Sequence, residues 1–209
     1  MTIDDYIEAH IDEEGEYLHR LYRATQIHLL YGRMASGHTQ GRLLKMFVEM
    51  IRPKNILEIG TFSGYSALCM AEGLQEGGMI HTIEIFDELE DFTRPWIENS
   101  PWADKVKFYI GDALQMVPQM GINFDMAFID GNKRTYLDYY NMVMEHMNPG
   151  GYILADNTLW DGHVIETEPT KDPQTLGIME FNDFVAKDDR VEKVIVPVRD
   201  GLTVIRIKD

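Results

Sequence analysis

The stretch NILEIGTFSGYSALCMAEGL, residues 55–74, passes from a short apolar run, through a loop with glycines at 60 and 64, into an apolar segment of helical length. Strand, glycine-bearing turn and helix, in that order, open a βαβ unit. Outward from it the pattern repeats in MIHTIEI (79–85), VKFYIGD (106–112), FDMAFIDG (124–131) and GYILADN (151–157), each followed by a helix-like or polar stretch. Five such strands alternating with helices predict a parallel, doubly wound α/β sheet. VEKVIVPV and LTVIRIK are separated by Arg199, Asp200 and Gly201, a short Asp-Gly loop that predicts a closing hairpin and one antiparallel strand. Upstream, the first 50 residues read as mostly helical, with a break at RMASGH (33–38). Helical spacing resumes through Leu43, Leu44, Phe47, Val48 and Ile51 and stops before Pro53. The expectation is one domain over 1–209, a helical segment (1–52) preceding a Rossmann-like core (53–209). ETEPTKDPQ (166–174) reads as an exposed loop.

Composition narrows the function. With 19 basic against 35 acidic residues the formal charge is -16, which repels nucleic-acid phosphates and anionic membrane surfaces. The single cysteine, Cys69, excludes an internal disulfide and, in an apolar helical stretch, reads as core. The acidic start MTIDDYIEAHIDEEGE is unlike a signal peptide, and no apolar run approaches the ~18 residues of a membrane span. A soluble, cytoplasmic protein acting on a small molecule is expected.

Ligands of doubly wound sheets sit beyond the carboxyl ends of the strands. Here those ends carry Glu58 and Gly60, Glu84, Asp112, Asp130, and Asp156 with Asn157. The loop EIGTFSGYS (58–66) has Phe62 and Tyr65 where a dinucleotide fingerprint starting at Gly60 needs glycine, and it lacks the Gly-Lys-Ser/Thr ending of a phosphate loop. It suits a ligand without phosphates and with a cationic, amino-acid-like end. Glu84 lies 20 residues beyond Gly64, where an acid accepts from ribose hydroxyls, and Asp112 is placed to accept from an adenine amine. An adenosine with a methionine-like tail, S-adenosylmethionine, satisfies all three.

The motifs EIGTFSGYS, IEI, GDA, FIDGNK and ADNTLW, in this order, resemble the cation-dependent O-methyltransferases, the family of catechol and caffeoyl-coenzyme A O-methyltransferases. The similarity extends from about Met34 to the C-terminal VPVRDGLTVIRIK. It implies a class I methyltransferase fold with a seven-stranded sheet, and a homodimer. It also implies that Asp130, Asp156 and Asn157 are metal ligands and that Lys133 stands beside the reacting hydroxyl. Glu84 would bind ribose, Gly60, Thr61 and Ser66 the methionine end with Glu58 in support, and Asp112 and Ala113 the adenine side. Ser36 would close the cofactor pocket, and Asp130 would border metal, cofactor and reaction alike.

The residue chemistry agrees with that assignment. Two carboxylates and an amide oxygen suit a hard cation, Mg²⁺ first, with Mn²⁺ or Ca²⁺ as alternatives. Lys133 near a cation would lose its proton readily and act as base. Trp160 is a candidate wall of an aromatic slot, and Tyr65 and Tyr136 are candidate cofactor or substrate contacts. His163 reads as a solvated loop residue. Where the family often has Asp-Ala-Asp-Lys, this chain has Asp130-Gly131-Asn132-Lys133, and Glu166–Leu176 is placed as a lid over the substrate. The primary reading is a metal-dependent S-adenosylmethionine O-methyltransferase acting on a catechol-like, vicinal dihydroxy aromatic; weighed against it are a transfer-RNA hydroxyuridine methyltransferase, disfavoured by charge; a cofactor sensor without turnover, for which Asp130 and Lys133 would be superfluous; and a nicotinamide oxidoreductase.

Overall fold

The computed structural model describes residues 1–166 and 170–209. The described residues contain helices α1 (Ile3–Glu8), α2 (Gly15–His28) and α3 (Gly37–Ile51), followed by β1 (Asn55–Ile59), α4 (Tyr65–Gly73), β2 (Met79–Glu84), α5 (Glu90–Glu98), β3 (Val106–Ile110), α6 (Ala113–Met116), β4 (Phe124–Ile129), α7 (Tyr136–Glu145), β5 (Met147–Asp156), α8 (Pro173–Lys187), β6 (Val191–Val196) and β7 (Leu202–Ile207). The strands are ordered β3-β2-β1-β4-β5-β7-β6 in one seven-stranded sheet. The pairs β2–β3, β1–β4 and β4–β5 are parallel, whereas β7 is antiparallel to both β5 and β6. The doubly wound sheet with an antiparallel closing strand is as expected.

Two compact units make up the chain, residues 1–54 with 61–110, and residues 55–60 with 111–209. In the first, α3 ends at Ile51 because Arg52 turns left-handed (φ 55°) just before Pro53. Leu44 and Val48 of α3 are fully buried, as are Ala67, Leu68, Cys69 and Met70 of α4. Burial pushes the Cys69 thiol up to about 12, the behaviour of a core thiol. In the second unit β1, β4 and β5 are near-continuous apolar runs, with Ile56, Leu57, Ala127, Phe128, Ile153 and Leu154 fully buried, the pattern of strands covered on both faces.

Two expectations change. The connection between β6 and β7 is five residues, 197–201, with Arg199 and Gly201 both left-handed, so the Asp-Gly pair ends a longer loop rather than forming a tight turn. The loop expected over 166–174, like the lid over Glu166–Leu176, lies partly outside the described residues, at 167–169. Beyond them, Asp172 caps α8 by accepting from the Thr175 backbone N–H (2.8 Å), and Pro173 supplies a first helical residue with φ already set, so Pro173–Leu176 is helix.

Candidate active site

Among the expected cofactor residues of the first unit, Glu84 is held by backbone at both oxygens. Its Oε2 accepts from the backbone N–H of Phe62 (2.8 Å) and its Oε1 from that of Phe86 (3.0 Å). Phe62 is left-handed (φ 48°), and its carbonyl accepts from Thr93 Oγ1 (2.5 Å). The Thr61 hydroxyl lies 2.5 Å from that of Thr82. Both Glu84 oxygens are thus oriented by the backbone, and each keeps a further lone pair. Ser36 and Ser66 are buried, one at the N-terminus of α3, the other in the first turn of α4. Tyr65, a candidate contact as well as a candidate packing residue, packs in the core. It is 1% exposed, and its hydroxyl donates to Glu14 within the helical layer.

In the second unit, Glu58 has no exposed surface, so its role is internal to the strand that carries the loop. Gly60 has φ 99°, and a Cβ there would stand 2.3 Å from the Asp130 carbonyl, so the approach of β1 to the end of β4 demands glycine. Asp112 caps α6, accepting from the Leu114 backbone N–H (3.0 Å) and Gln115 Nε2 (3.2 Å), with buried Ala113 behind it.

Ile129 pairs with Ala155, so Asp130, the first residue past β4, lies beside Asp156, the last residue of β5, which still pairs with Leu202 of β7. Asp156 is 2% exposed, and its Oδ1 accepts from the Asn157 N–H (3.0 Å); Asn157 is left-handed (φ 58°). Among the described residues no group of three His, Cys, Asp or Glu is placed to hold a metal. The expected set is of another kind, two carboxylates and an amide.

Lys133 is 6% exposed, and its Nζ donates to Asp130 Oδ1 (2.7 Å) and to the Tyr136 hydroxyl (2.7 Å). Asn132 caps the short helix Lys133–Thr135, accepting from the Arg134 N–H (3.1 Å). A Cβ on Gly131 would meet the Tyr139 ring at 2.9 Å, so the glycine has a local structural cause, whereas the cap at 132 would be made equally well by aspartate. Tyr136, likewise a candidate contact or packing residue, is fully buried, and its hydroxyl lies 3.0 Å from the Ile129 carbonyl and 2.7 Å from that of Asp156. Burial, then the Asp130 and Asp156 carboxylates, raise its pKa well above the usual tyrosine range.

The O-methyltransferase family profile matches residues 8–208. The chain belongs to the S-adenosylmethionine-dependent O-methyltransferase family. Caffeoyl-CoA O-methyltransferase 1 of Eucalyptus globulus is 35% identical over 185 residues, covering 83% of this chain and 74% of that protein. Tricin synthase 2 of Oryza sativa subsp. japonica is 33% identical over 204 residues, 92% of this chain and 70% of that one. Among solved structures, the O-methyltransferase from Bacillus cereus in complex with SAH superposes with a TM-score of 0.90 at 29% identity, covering 99% of this chain and 97% of that one. The O-methyltransferase TomG from Streptomyces achromogenes in complex with SAM does so with a TM-score of 0.90 at 26% identity, covering 99% and 96%.

Three residues that support candidate site residues of their own units escape a reading of strand ends. Asp200 accepts from the Leu159 N–H through its carbonyl (2.9 Å) and from the Asp161 N–H through its carboxylate, pinning the segment that carries Trp160. Trp160 itself is half-buried and left-handed (φ 49°). Burial raises the Asp200 carboxyl, with Lys133 among the groups acting against the rise. Gly177 lets α8 pass close to Lys133, since a Cβ there would stand 2.3 Å from the Lys133 carbonyl. A lone glycine inside a helical pattern was the only sequence signal for it. The third, Thr93, steadies Phe62 and carried no signal at all. His163 is exposed and pairs with Glu166 (2.5 Å), which raises its pKa, as a solvated loop residue does.

Proposed function

We propose that this methyltransferase moves the methyl group of S-adenosylmethionine to a hydroxyl of a catechol-like small molecule, and that the reaction depends on a divalent cation. The observation that carries the reading is a buried lysine amine 2.7 Å from a carboxylate at the end of β4, beside the Asp156 strand end. The cofactor assignment is supported by the Bacillus cereus and Streptomyces achromogenes structures, which hold SAH and SAM. In this reading Glu84 accepts from the ribose hydroxyls. Ser36, Gly60, Thr61 and Ser66, with Glu58 behind the loop, hold the methionine end, and Asp112 and Ala113 border the adenine.

Asp130, Asp156 and Asn157 are the residues that would hold the cation. All offer oxygen, and the fit is to Mg²⁺, Mn²⁺ or Ca²⁺ rather than to zinc. When bound, the cation would favour the phenolate form of the acceptor and leave coordination positions for two adjacent oxygens. Lys133 Nζ takes the proton of the acceptor hydroxyl, and Trp160 borders the ring. Displacement at a sulfonium carbon then needs the oxygen held in line at roughly 3 Å, a proximity effect worth several kcal/mol. Incubation with S-adenosylmethionine, Mg²⁺ and a panel of dihydroxy aromatics, caffeoyl-coenzyme A and caffeate included, should give a monomethylated product abolished by chelator. Chelator-insensitive turnover, or no turnover on any member, rules the reading out.

The profile match over 8–208 supports a single methyltransferase domain spanning 1–209. A homodimer is consistent with the exposed Ile27, Leu30, Tyr31 and Met34 of the N-terminal segment, and sedimentation measures it directly. Among the described residues no helix is long and apolar enough to cross a membrane, which fits a cytoplasmic setting.

A further inference from the structure

We infer that Tyr136 is the positioning residue for Lys133, aiming the one position of its amine that is free to take a proton. The inference rests on the reading of Lys133 as the base. The Tyr136 ring is fixed edge-on against Phe181, with centroids 5.4 Å apart and planes at 87°, so its hydroxyl has one location. There it faces two carbonyl oxygens, Ile129 O at 3.0 Å and Asp156 O at 2.7 Å, and Lys133 Nζ at 2.7 Å. Carbonyls only accept, and a phenol has one proton, so that proton is committed to the carbonyls. Toward Lys133 the hydroxyl presents a lone pair. Lys133 must therefore donate to it, as it donates to Asp130 Oδ1 at 2.7 Å.

The tetrahedral nitrogen then has no remaining freedom. One position is its own carbon, two carry the hydrogens bonded to Tyr136 and Asp130, and one is left. The two acceptors fix the direction of that fourth position. Asp130 alone would leave the amine able to turn between staggered positions about its terminal bonds. Tyr136 acts through Lys133, and it also ties the ends of β4 and β5, from which Asp130 and Asp156 emerge.

The test is a double-mutant cycle of Tyr136→Phe and Lys133→Gln on the full chain, with caffeoyl-coenzyme A, S-adenosylmethionine and Mg²⁺. Tyr136→Phe should lower kcat by roughly 10- to 100-fold, KM for both substrates staying within about threefold, the range for a misdirected proton transfer. In the Lys133→Gln background it should lower kcat no further. An equal factor in both backgrounds, or a loss confined to KM, overturns the inference. Wild-type kcat in Lys133→Gln alone instead overturns the reading of Lys133 as base, so the two failures are distinguishable. Because Tyr136→Phe also strips two buried carbonyls of their donor, Tyr136→4-aminophenylalanine is the companion variant. Its N–H groups serve both carbonyls while its lone pair is delocalised into the ring. It should recover the melting temperature but not kcat, and recovery of kcat as well would count against the proposal. A crystal structure of Tyr136→Phe reads the same point without turnover. Lys133 Nζ spread over several rotamers is expected; a single unchanged position 2.7 Å from Asp130 refutes it.

Discussion

At the residue scale the site depends on side chains held by partners that are not themselves reactive. Asp200 holds the backbone of Leu159 and Asp161 around Trp160, and its carboxyl is raised above the usual range chiefly by burial. A raised carboxyl means that the charged form is penalised in the fold, so its contribution to stability declines as pH climbs from the unfolded value of about 4 through the folded one. Asp200→Asn keeps the oxygen that accepts from Asp161 and removes the penalised charge. Its thermal melt at pH 7 should match or exceed that of the wild type. Asp200→Ala loses the acceptor and should cost roughly 1 kcal/mol. Gly131 makes the converse point, since its departure from the family wording answers to the Tyr139 ring before it answers to any substrate.

At the element scale the decisive contact is α8 against the short helix that carries Lys133. Propensity alone says that Gly177→Ala inside α8 should stabilise by up to about 1 kcal/mol. The 2.3 Å approach to the Lys133 carbonyl and 2.9 Å to Arg134 Cα reverse the sign, because backbone must move. Gly177→Ala should lower stability by roughly 1–3 kcal/mol in urea unfolding and lower kcat as well. The far end of α8 is held differently. Asp188 accepts from Arg190 (2.6 Å to Nη2), from the Arg190 N–H (2.9 Å) and from the Tyr140 hydroxyl (2.9 Å). The Arg190 side chain is the main reason that the Asp188 carboxyl lies well below the usual range. A depressed carboxyl contributes stability in full above its unfolded value of about 4 and loses it as pH falls toward the folded one. The melting temperature should therefore fall more steeply between about pH 5 and pH 3 in the wild type than in Asp188→Asn.

At the scale of the whole molecule, a formal charge of -16 on 209 residues opposes compaction through self-repulsion. Raising ionic strength from about 0.01 M to about 0.15 M shortens the screening length from roughly 30 Å to 8 Å and should raise the melting temperature. Transfer RNA should show no retardation under the same conditions. The alternation of apolar runs with helical spacing was enough to determine the doubly wound sheet and its antiparallel close, because strand and helix periods differ and strands covered on both faces must be apolar throughout. The placement of Asp130, Asp156 and Asn157 at strand exits followed from the same pattern, since a polar residue ending a buried run can only leave the sheet there. Left to the tertiary structure were the burial of Tyr65 and Tyr136, the clamp made by Asp200 and the passage of α8 at Gly177. Each depends on what stands opposite a residue across tens of positions of chain. A sequence names a tyrosine's hydroxyl and a glycine's missing side chain, and only packing decides which carbonyl or amine will meet them.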